Sequence, residues 1–365
     1  MLGSGCEAFG ARAKGSRLAR MQRSPEWRGD HFVNPQPLQN NLWQSIADVR
    51  YTSPDASPRS PLPVAKVDRQ TFVAQPRSGL RVTWFGHSSI LVEIDGHRVL
   101  TDPVWSERAS PYTWIGPRRF APPVIALADL PPIDVVVISH DHYDHLDMRT
   151  IQAMKEWKTL FVVPLGVGAH LASWGIPEAR IIEMEWWEAR TFGGLQLVCV
   201  PARHASGRAV IDNDDKLWAG YALVTSGHRV YYSGDTGLFP GMTEIGARLG
   251  PFDLTMIEAG QYGRGWPDWH LGPEQAVQAH QMVRGKLMLP VHWAMFQLAS
   301  HAWTEPLERV LTAARPLGIA VLTPRVGQSF EPTAPPAFEK WWPDLPRHTA
   351  AEDPIVATWA RSTKQ

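Results

Sequence analysis

The feature that most constrains this chain is a run of nine residues, Ser139 to Asp147, which contains three histidines and three aspartates. The run lies at the end of residues 133–139, a short apolar stretch that is rich in β-branched side chains and follows Pro131 and Pro132. Such a stretch is typical of a buried strand, so the polar run is predicted to form the loop at the end of that strand. This density of ligand side chains in one loop indicates a metal site.

The spacing within the run favours two ions. His140 and His142 are two residues apart, so in an extended backbone their side chains fall on the same side and can approach one ion. Asp144 and His145 follow after one spacer and can turn towards a second ion. Imidazole and carboxylate ligands suit zinc, iron or manganese, and no cysteine lies nearby to form a closed structural site. A polar loop with surface histidines is the alternative, and the compact spacing disfavours it.

Composition excludes several classes of protein. The chain has 365 residues, of which 44% are hydrophobic, which is enough to bury one substantial core. The formal net charge is zero, so composition gives no case for a nucleic-acid partner. Only Cys6 and Cys199 are present, which argues against a disulfide framework. The sequence also lacks an uninterrupted apolar stretch of the ~20 residues that a transmembrane helix requires.

The ends of the chain differ from its centre. Residues 1–35 are basic and lack apolar periodicity, so we expect them to be poorly ordered. Residues 36–330 are expected to form one domain, with 36–80 as an extended lead-in, and residues 331–365 form a Pro-rich tail. Residues 2–6 resemble the end of a bacterial lipoprotein signal. The compartment therefore stays open between the cytoplasm, a membrane surface and, if Cys6 once followed a longer leader, the cell envelope.

The sequence pattern of the central region predicts strands that alternate with helices. Two β-rich stretches joined by Asp95-Gly96 predict a hairpin over residues 90–101. Apolar residues at helical spacing predict a helix after Asp147, which is placed to cap it, and further helices are predicted from Pro273 and around residues 307–314. Three later strands are each followed by a candidate ligand: His204, Asp235 and His292.

The motif His140-x-His142-x-Asp144-His145 after a hydrophobic strand resembles the signature of the metallo-β-lactamase-fold hydrolases. Over roughly residues 30–330, the local sequence resembles N-acyl phosphatidylethanolamine phospholipase D and its bacterial relatives. The stretches that carry this resemblance occur in order: Trp84 to Ser89, Thr101 to Val104, Gly116 to Phe120, Leu130 to Asp134, Gly234 to Gly237 and Gly250 to Asp253.

The resemblance implies a fold and a set of ligands. The fold is an α+β, four-layer αβ/βα sandwich in which two central mixed sheets carry helices on both outer faces. The resemblance implies two zinc ions, with iron or manganese as alternatives. It also implies that Asp102 lies beneath a ligand histidine and accepts a hydrogen bond from it. The first ion takes His140, His142 and His204; the second takes Asp144, His145 and His292; and Asp235 bridges them.

The resemblance also implies a reaction. A hydroxide held between two metals ~3.5–4 Å apart would attack phosphorus in line, and metal coordination makes such a nucleophile available at neutral pH. Asp144 and His270 are the predicted catalytic residues, and His270 lies where it could assist the leaving group. The expected substrate is a lipid or related phosphodiester, such as an N-acyl phosphatidylethanolamine cleaved to phosphatidate and N-acylethanolamine.

Other functions stay open at this stage. The same hydroxide could attack a carbonyl, as in a lactonase or a β-lactamase, and a non-catalytic or redox metal-binding module is a second alternative. The related redox proteins carry Glu in place of His142, which disfavours that alternative. Peripheral membrane association and a homodimer are open, whereas the neutral charge disfavours a nuclease.

Overall fold

The computed structural model describes residues 7–39, 41, 43–44, 50–209 and 212–358. Residues 2–6, which resemble a lipoprotein signal, lie outside the described part of the chain. The fold is built on two seven-stranded mixed sheets. The elements of the N-terminal segment are α1 (Gly15–Met21), β1 (Trp27–Arg28) and β2 (His31–Phe32).

We expected the segment 1–35 to be poorly ordered, but residues 7–35 pack against the domain. The Arg17 guanidinium contacts Glu183 at 2.6 Å and Glu178 at 2.7 Å, and Arg20 contacts Glu188 at 2.7 Å. Met21 is also buried in the core between the sheets. The composition of the segment could not reveal these ion pairs, because the acidic partners lie more than 150 positions away in the sequence.

The first sheet comes from the N-terminal half of the domain, with one strand from near the end of the chain. Its strands are β3 (Leu80–Trp84), β4 (Ile90–Ile94), β5 (His97–Thr101), β6 (Val135–Val137), β7 (Leu160–Pro164), β8 (Ile181–Met184) and β16 (Ser329–Phe330), in the order β16-β3-β4-β5-β6-β7-β8. The pairings from β16 to β5 are antiparallel and those from β5 to β8 are parallel.

The second sheet repeats this arrangement. Its strands are β9 (Ala189–Phe192), β10 (Leu195–Val200), β11 (Gly220–Val224), β12 (Arg229–Tyr232), β13 (Phe252–Glu258), β14 (Gly285–Val291) and β15 (Ala320–Val321). The pairings from β9 to β12 are antiparallel and those from β12 to β15 are parallel. The hairpin β4–β5 was predicted correctly: Asp95 and Gly96 both have positive φ, as a tight two-residue turn between strands requires.

Both faces of the central strands are buried, which is why strands such as β6 and β10 are nearly continuous apolar runs, whereas the edge strand β9 is mostly exposed. Alternate residues of β3–β6, such as Val82 and Val137, pack between the sheets against residues such as Leu197 and Met256. The opposite residues face helices on the outside. The helices beside the first sheet are α2 (Met148–Ala153) and α3 (Gly168–Ser173); those beside the second are α4 (Gly241–Leu249), α5 (Pro273–Met282) and α6 (Glu305–Ala314). The predicted four-layer αβ/βα sandwich is therefore confirmed.

The C-terminal region returns to the domain. Trp341 and Trp342 are buried, and their rings lie 5.4 Å and 6.0 Å from the ring of Trp293. The Trp342 indole also donates to Glu308 on α6 at 2.7 Å. This region therefore covers one side of the sandwich. Among the helices of the described residues, none is long and apolar enough to cross a membrane.

Candidate metal centre

The candidate ligands come from strand ends in both sheets. The loop after β6 supplies His140, His142, Asp144 and His145, whereas His204, Asp235 and His292 follow β10, β12 and β14. Parallel neighbours end at the same edge of a sheet, so β12 and β14 bring their ligands to one place. Two backbone hydrogen bonds to the His142 carbonyl, from His145 and Leu146, form a tight turn. The turn separates the first pair of ligands from the second.

The close approach of these loops depends on two glycines. A Cβ at Gly260 would lie 1.8 Å from the carbonyl oxygen of His292. Gly234, just before Asp235, has a φ of 57°, and a Cβ there would lie 2.6 Å from the side chain of Ser139. His292 itself has a positive φ of 65°, which is uncommon for a residue other than glycine. The loops are thus held in a close and partly strained arrangement around the site.

The first group of ligands consists of His140, His142 and His204. The Nδ1 atom of His142 lies 2.9 Å from Nε2 of His140 and 3.2 Å from Nε2 of His204. Zinc binds imidazole nitrogen at about 2.0–2.1 Å, so neighbouring corners of a tetrahedral zinc site are about 3.3 Å apart. The three nitrogen atoms are therefore spaced as ligands of one small ion.

In the His140 and His204 rings, a hydrogen bond fixes which nitrogen faces the candidate metal position. Nδ1 of His204 lies 2.8 Å from the Trp269 carbonyl, and Nδ1 of His140 lies 2.9 Å from Oγ of Ser139, whose own proton goes to Asp102. In both rings Nδ1 is thus the protonated nitrogen, and Nε2 keeps its lone pair. The hydrogen bonds leave the correct tautomer for binding a metal.

The second group consists of Asp144, His145 and His292. Oδ2 of Asp144 lies 3.3 Å from Nε2 of His145 and 3.2 Å from Nε2 of His292. Asp235 lies between the two groups: its Oδ2 is 3.0 Å from Nε2 of both His145 and His292, and 3.8 Å and 3.9 Å from Nε2 of His140 and His204. A carboxylate in that position could contact a metal held by either group.

Asp102 lies beneath the second group and is completely buried. Its carboxylate accepts hydrogen bonds from Nδ1 of His145 at 2.7 Å, from the backbone N–H of Ser139 at 2.7 Å and from the Tyr232 hydroxyl. The structure therefore places Asp102 where the sequence predicted it, as the acceptor that orients a candidate ligand histidine.

Two further residues adjoin the site that sequence reasoning did not include in it. Nε2 of His87 lies 2.8 Å from Oδ2 of Asp144. Glu258, at the end of β13, is fully buried, and its Oε2 lies 3.5 Å from Nδ1 of His292. A signal for Glu258 was present, because a carboxylate ends an apolar strand at the same sheet edge as Asp235 and His292.

His270, the predicted helper, lies beside the second group. Its ring stacks on the His292 ring at a centroid distance of 5.2 Å, and its Nδ1 lies 3.1 Å from Oε2 of Glu258. The Glu258 carboxylate also accepts from the backbone N–H groups of Thr236 and Leu271, so its position is fixed from three sides. Because Nδ1 faces Glu258, Nε2 is the nitrogen of His270 left to contact a substrate.

The electrostatics of the two groups differ. Burial lowers the pKa of His140 well below its ordinary value, and the surrounding imidazoles lower it further. Burial also lowers the pKa of His142 and of His204, despite nearby carboxylates. Burial alone would raise the pKa of Asp144, in the second group, and of Asp235, between the groups, but the adjacent histidines hold the pKa of both well below its usual range. The first group is therefore neutral, and the carboxylates supply the negative charge.

The residues fit a metal centre on their own chemistry. Oδ1 of Asp235 is buried and makes no hydrogen bond to any described residue, and Nε2 of His145, although 3.0 Å from Oδ2 of Asp235, is not aligned to form one. Buried polar atoms normally have partners, and a divalent cation would supply them here. The ligand atoms fall into groups in which all lie within 4.8 Å of one another. The donor set is imidazole and carboxylate, which suits zinc, iron or manganese.

Comparison with known proteins places the chain in a family. Residues 97–293 match the model of the beta-lactamase superfamily domain. A Mycobacterium tuberculosis protein is 46% identical over 349 residues, covering 92% of this chain and 91% of that protein. The N-acyl-phosphatidylethanolamine-hydrolyzing phospholipase D 1 of Caenorhabditis elegans is 33% identical over 313 residues, covering 78% of this chain and 87% of that protein. The chain belongs to the metallo-β-lactamase superfamily.

This superfamily member is a metal-dependent hydrolase related to the N-acyl-phosphatidylethanolamine phospholipases D. Its fold is shared with the solved structure of Igni18, a metallo hydrolase from Ignicoccus hospitalis, with a TM-score of 0.55. That similarity covers 69% of this chain and 98% of the archaeal protein. Because the identity is 24%, the similarity supports the fold alone.

Proposed function

We propose that this hydrolase is a phosphodiesterase of phospholipase D type that holds two zinc ions. Its substrate is an N-acyl phosphatidylethanolamine or a similar lipid diester, and its products are phosphatidate and an N-acylethanolamine. The observation that carries the proposal is the similarity to the Caenorhabditis elegans phospholipase D, which extends over 87% of that protein. The arrangement of His270 beside the candidate ligands supports it.

The residues would divide the work as follows. His140, His142 and His204 would hold one ion, Asp144, His145 and His292 the other, and Asp235 would contact both. When bound, the two ions supply Lewis-acid polarisation of a phosphoryl oxygen and an activated water at neutral pH. Asp102 and Ser139 keep the ligand rings in the tautomers that binding requires.

His270 would assist departure of the leaving group. The bond between phosphorus and the ethanolamine oxygen breaks, and that oxygen needs a proton as it leaves. Glu258 holds Nδ1 of His270, so Nε2 is the atom that delivers the proton. Since the His270 side chain is 13% exposed, a substrate can reach it from solvent. Glu258 acts through His270 and is a positioning residue.

The test is hydrolysis of an N-acyl phosphatidylethanolamine and of a soluble bis-aryl phosphodiester, with the products identified by mass spectrometry and bound metal quantified. Wild type is expected to release phosphatidate and the N-acylethanolamine. Asp235→Asn is expected to lose activity together with metal, because one carboxylate contacts both groups. Asp253→Asn is the matched control, since Asp253 lies near the start of β13, at the opposite end of that strand from Glu258, where it pairs with Lys286.

Two results would contradict the proposal. If wild type contains metal but cleaves neither diester, the substrate class is wrong, and lactones and β-lactams become the next substrates to test. If Asp235→Asn retains both metal and activity, the assignment of Asp235 is wrong. A third variant, His270→Gln, separates the roles further: it is expected to keep its metal and to lose more activity with a poor leaving group than with an aryl leaving group.

A further inference from the structure

We infer that the loop 108–118 docks the enzyme on an anionic lipid surface. The loop carries a cluster of exposed aromatic and aliphatic side chains. Trp114 is 72% exposed, Ile115 51% and Tyr112 37%. The rings of Tyr112 and Trp114 lie 5.6 Å apart, so the side chains form one patch. Tryptophan and tyrosine are the residues that proteins place at membrane interfaces.

The loop is a preformed structure. Arg108 and Arg118 pair as an antiparallel bridge at its base, and the Ala109 N–H donates to the Pro117 carbonyl at 3.0 Å. The Arg108 guanidinium donates to the Gly116 carbonyl at 2.6 Å. Gly116 has a φ of 100°, which allows the chain to turn back at the tip. The apolar side chains are therefore held outward without a large entropy cost on binding.

The charges around the loop select an anionic partner. Residues 105–121 contain three arginines and one glutamate, so their net charge is positive. Arg108 and Arg119 donate to backbone carbonyls, and Arg118 pairs with Glu107 at 2.6 Å. The Arg118 side chain is 68% exposed, and Arg149, which lies near the loop in a crevice shared with Ser110 and Pro111, is exposed as well. An apolar tip with cationic residues behind it matches a bilayer, whose acyl region lies beneath anionic headgroups.

Both ends of the loop connect to the candidate metal centre. On one side, Ser106 donates through its N–H and its hydroxyl to Asp147, the last residue of the ligand loop. On the other side, the Phe120 N–H donates to the Met295 carbonyl, and the next residue, Phe296, lies 5.3 Å from the ring of His87. A lipid surface bound at the loop would therefore lie beside the site, which, granting the proposed function, is where a lipid substrate is needed.

The experiment measures retention of the full-length metal-loaded enzyme on vesicles of phosphatidylethanolamine and phosphatidylglycerol that contain no N-acyl lipid, by flotation. Wild type is expected to float with these vesicles and to bind phosphatidylcholine vesicles more weakly. The double variant Trp114→Ser/Ile115→Ser is expected to bind at least tenfold more weakly. Leu317→Ser is the matched control, since Leu317 is 52% exposed and lies outside the loop.

Each outcome decides the inference. It stands if the double variant loses vesicle binding while cleaving the soluble bis-aryl diester at the wild-type rate, because that rate also shows that the variant folds. Arg118→Glu gives a second test on the surface charge, with weaker binding to anionic vesicles expected and the difference removed by high salt. The inference is overturned if wild type does not bind the anionic vesicles, or if the double variant binds them as tightly as wild type does.

A second copy of the chain is the competing occupant. If light scattering shows a wild-type dimer that the double variant abolishes, and vesicles retain neither protein, the patch is a dimer interface and the inference is wrong. Failure of the proposed function would look different. Vesicles would then retain the enzyme through the loop, yet N-acyl phosphatidylethanolamine would not be cleaved.

Discussion

The two groups of candidate ligands are held by different chemistry. In the first group, His140 and His204 are oriented by a hydroxyl and by a backbone carbonyl. In the second group, His145 is oriented by the buried carboxylate of Asp102, and His292 lies 3.5 Å from that of Glu258. Negative charge favours a bound cation and a basic ligand nitrogen, so we expect the second group to bind its ion more tightly.

The largest effect should come from removing the charge within the second group. Asp144→Ala is expected to reduce bound metal from about two ions to about one per chain and to abolish hydrolysis, because both ions are needed for the proposed chemistry. Elemental analysis and the bis-aryl assay measure the two quantities. Asp134→Ala, an exposed carboxylate that accepts from Arg98 N–H, serves as the control. Retention of two ions in Asp144→Ala would remove the distinction between the groups.

Stepwise removal of metal tests the distinction directly. During titration with a chelator, the wild-type enzyme should lose its ions in two steps, the first from His140, His142 and His204. Refilling each site should stabilise the fold, by about 2.7 kcal/mol when the free metal is 100 times the dissociation constant. Metal content and thermal unfolding measured on the same samples would show both steps. A single step that releases both ions would contradict the comparison.

Asp102→Asn should have a smaller effect that is specific to one group. The substitution keeps the shape of the side chain and removes its charge, so we expect the affinity for the second ion to fall roughly 10–100-fold. The affinity for the first ion should change much less, although Ser139 links Asp102 to His140. Competition with a metal indicator resolves the two affinities. An equal loss at both sites would show that Asp102 supports the whole centre.

The smallest effect on metal binding should come from a substitution at His170, which lies behind the first group. Asp141, between two ligands, accepts from Nε2 of His170 at 3.1 Å, and the Ala11 N–H donates to Nδ1 of the same ring at 2.9 Å. His170→Leu leaves the buried Asp141 carboxylate and the half-buried Ala11 N–H without these partners and should lower the free energy of unfolding by about 1–3 kcal/mol.

His170→Leu should lower the affinity of the first group for its ion only a few-fold, because the ligands themselves remain in place. Denaturant unfolding and metal competition measure the two effects. His170→Gln can still form one of the hydrogen bonds and should recover part of the loss. Wild-type stability in His170→Leu would show that this support is unimportant.

Much of the candidate site could be predicted because its signals are local in sequence. His140, His142, Asp144 and His145 lie within six residues, and the structure brings their side chains together as the spacing indicated. His204, Asp235 and His292 needed the resemblance to a family, since each is a lone residue at a strand's end. Asp147 also accepts from the Arg149 N–H at the start of α2, as predicted.

The parts that sequence reasoning missed depend on contacts over long separations. His87 contacts Asp144 across 57 positions. Glu258 contacts His292 because two parallel strands end together, and it contacts His270 because the loop before α5 returns to the same place. The contacts of the N-terminal segment were missed for a similar reason. The partners of Arg17 and Arg20 are acidic residues far along the chain, which composition within the segment cannot reveal.

The position of β16 has a consequence for how the protein is made. Strand β3 lies at the first sheet's edge until Ser329 and Phe330 pair with Thr83 and Val82. During synthesis, about 245 residues must therefore be added after β3 before its partner exists, a delay of roughly 12–50 seconds at bacterial or eukaryotic elongation rates of 5–20 residues per second. Throughout that interval the nascent chain presents an unpaired, apolar strand edge, the kind of surface that chaperones recognise and that aggregation exploits.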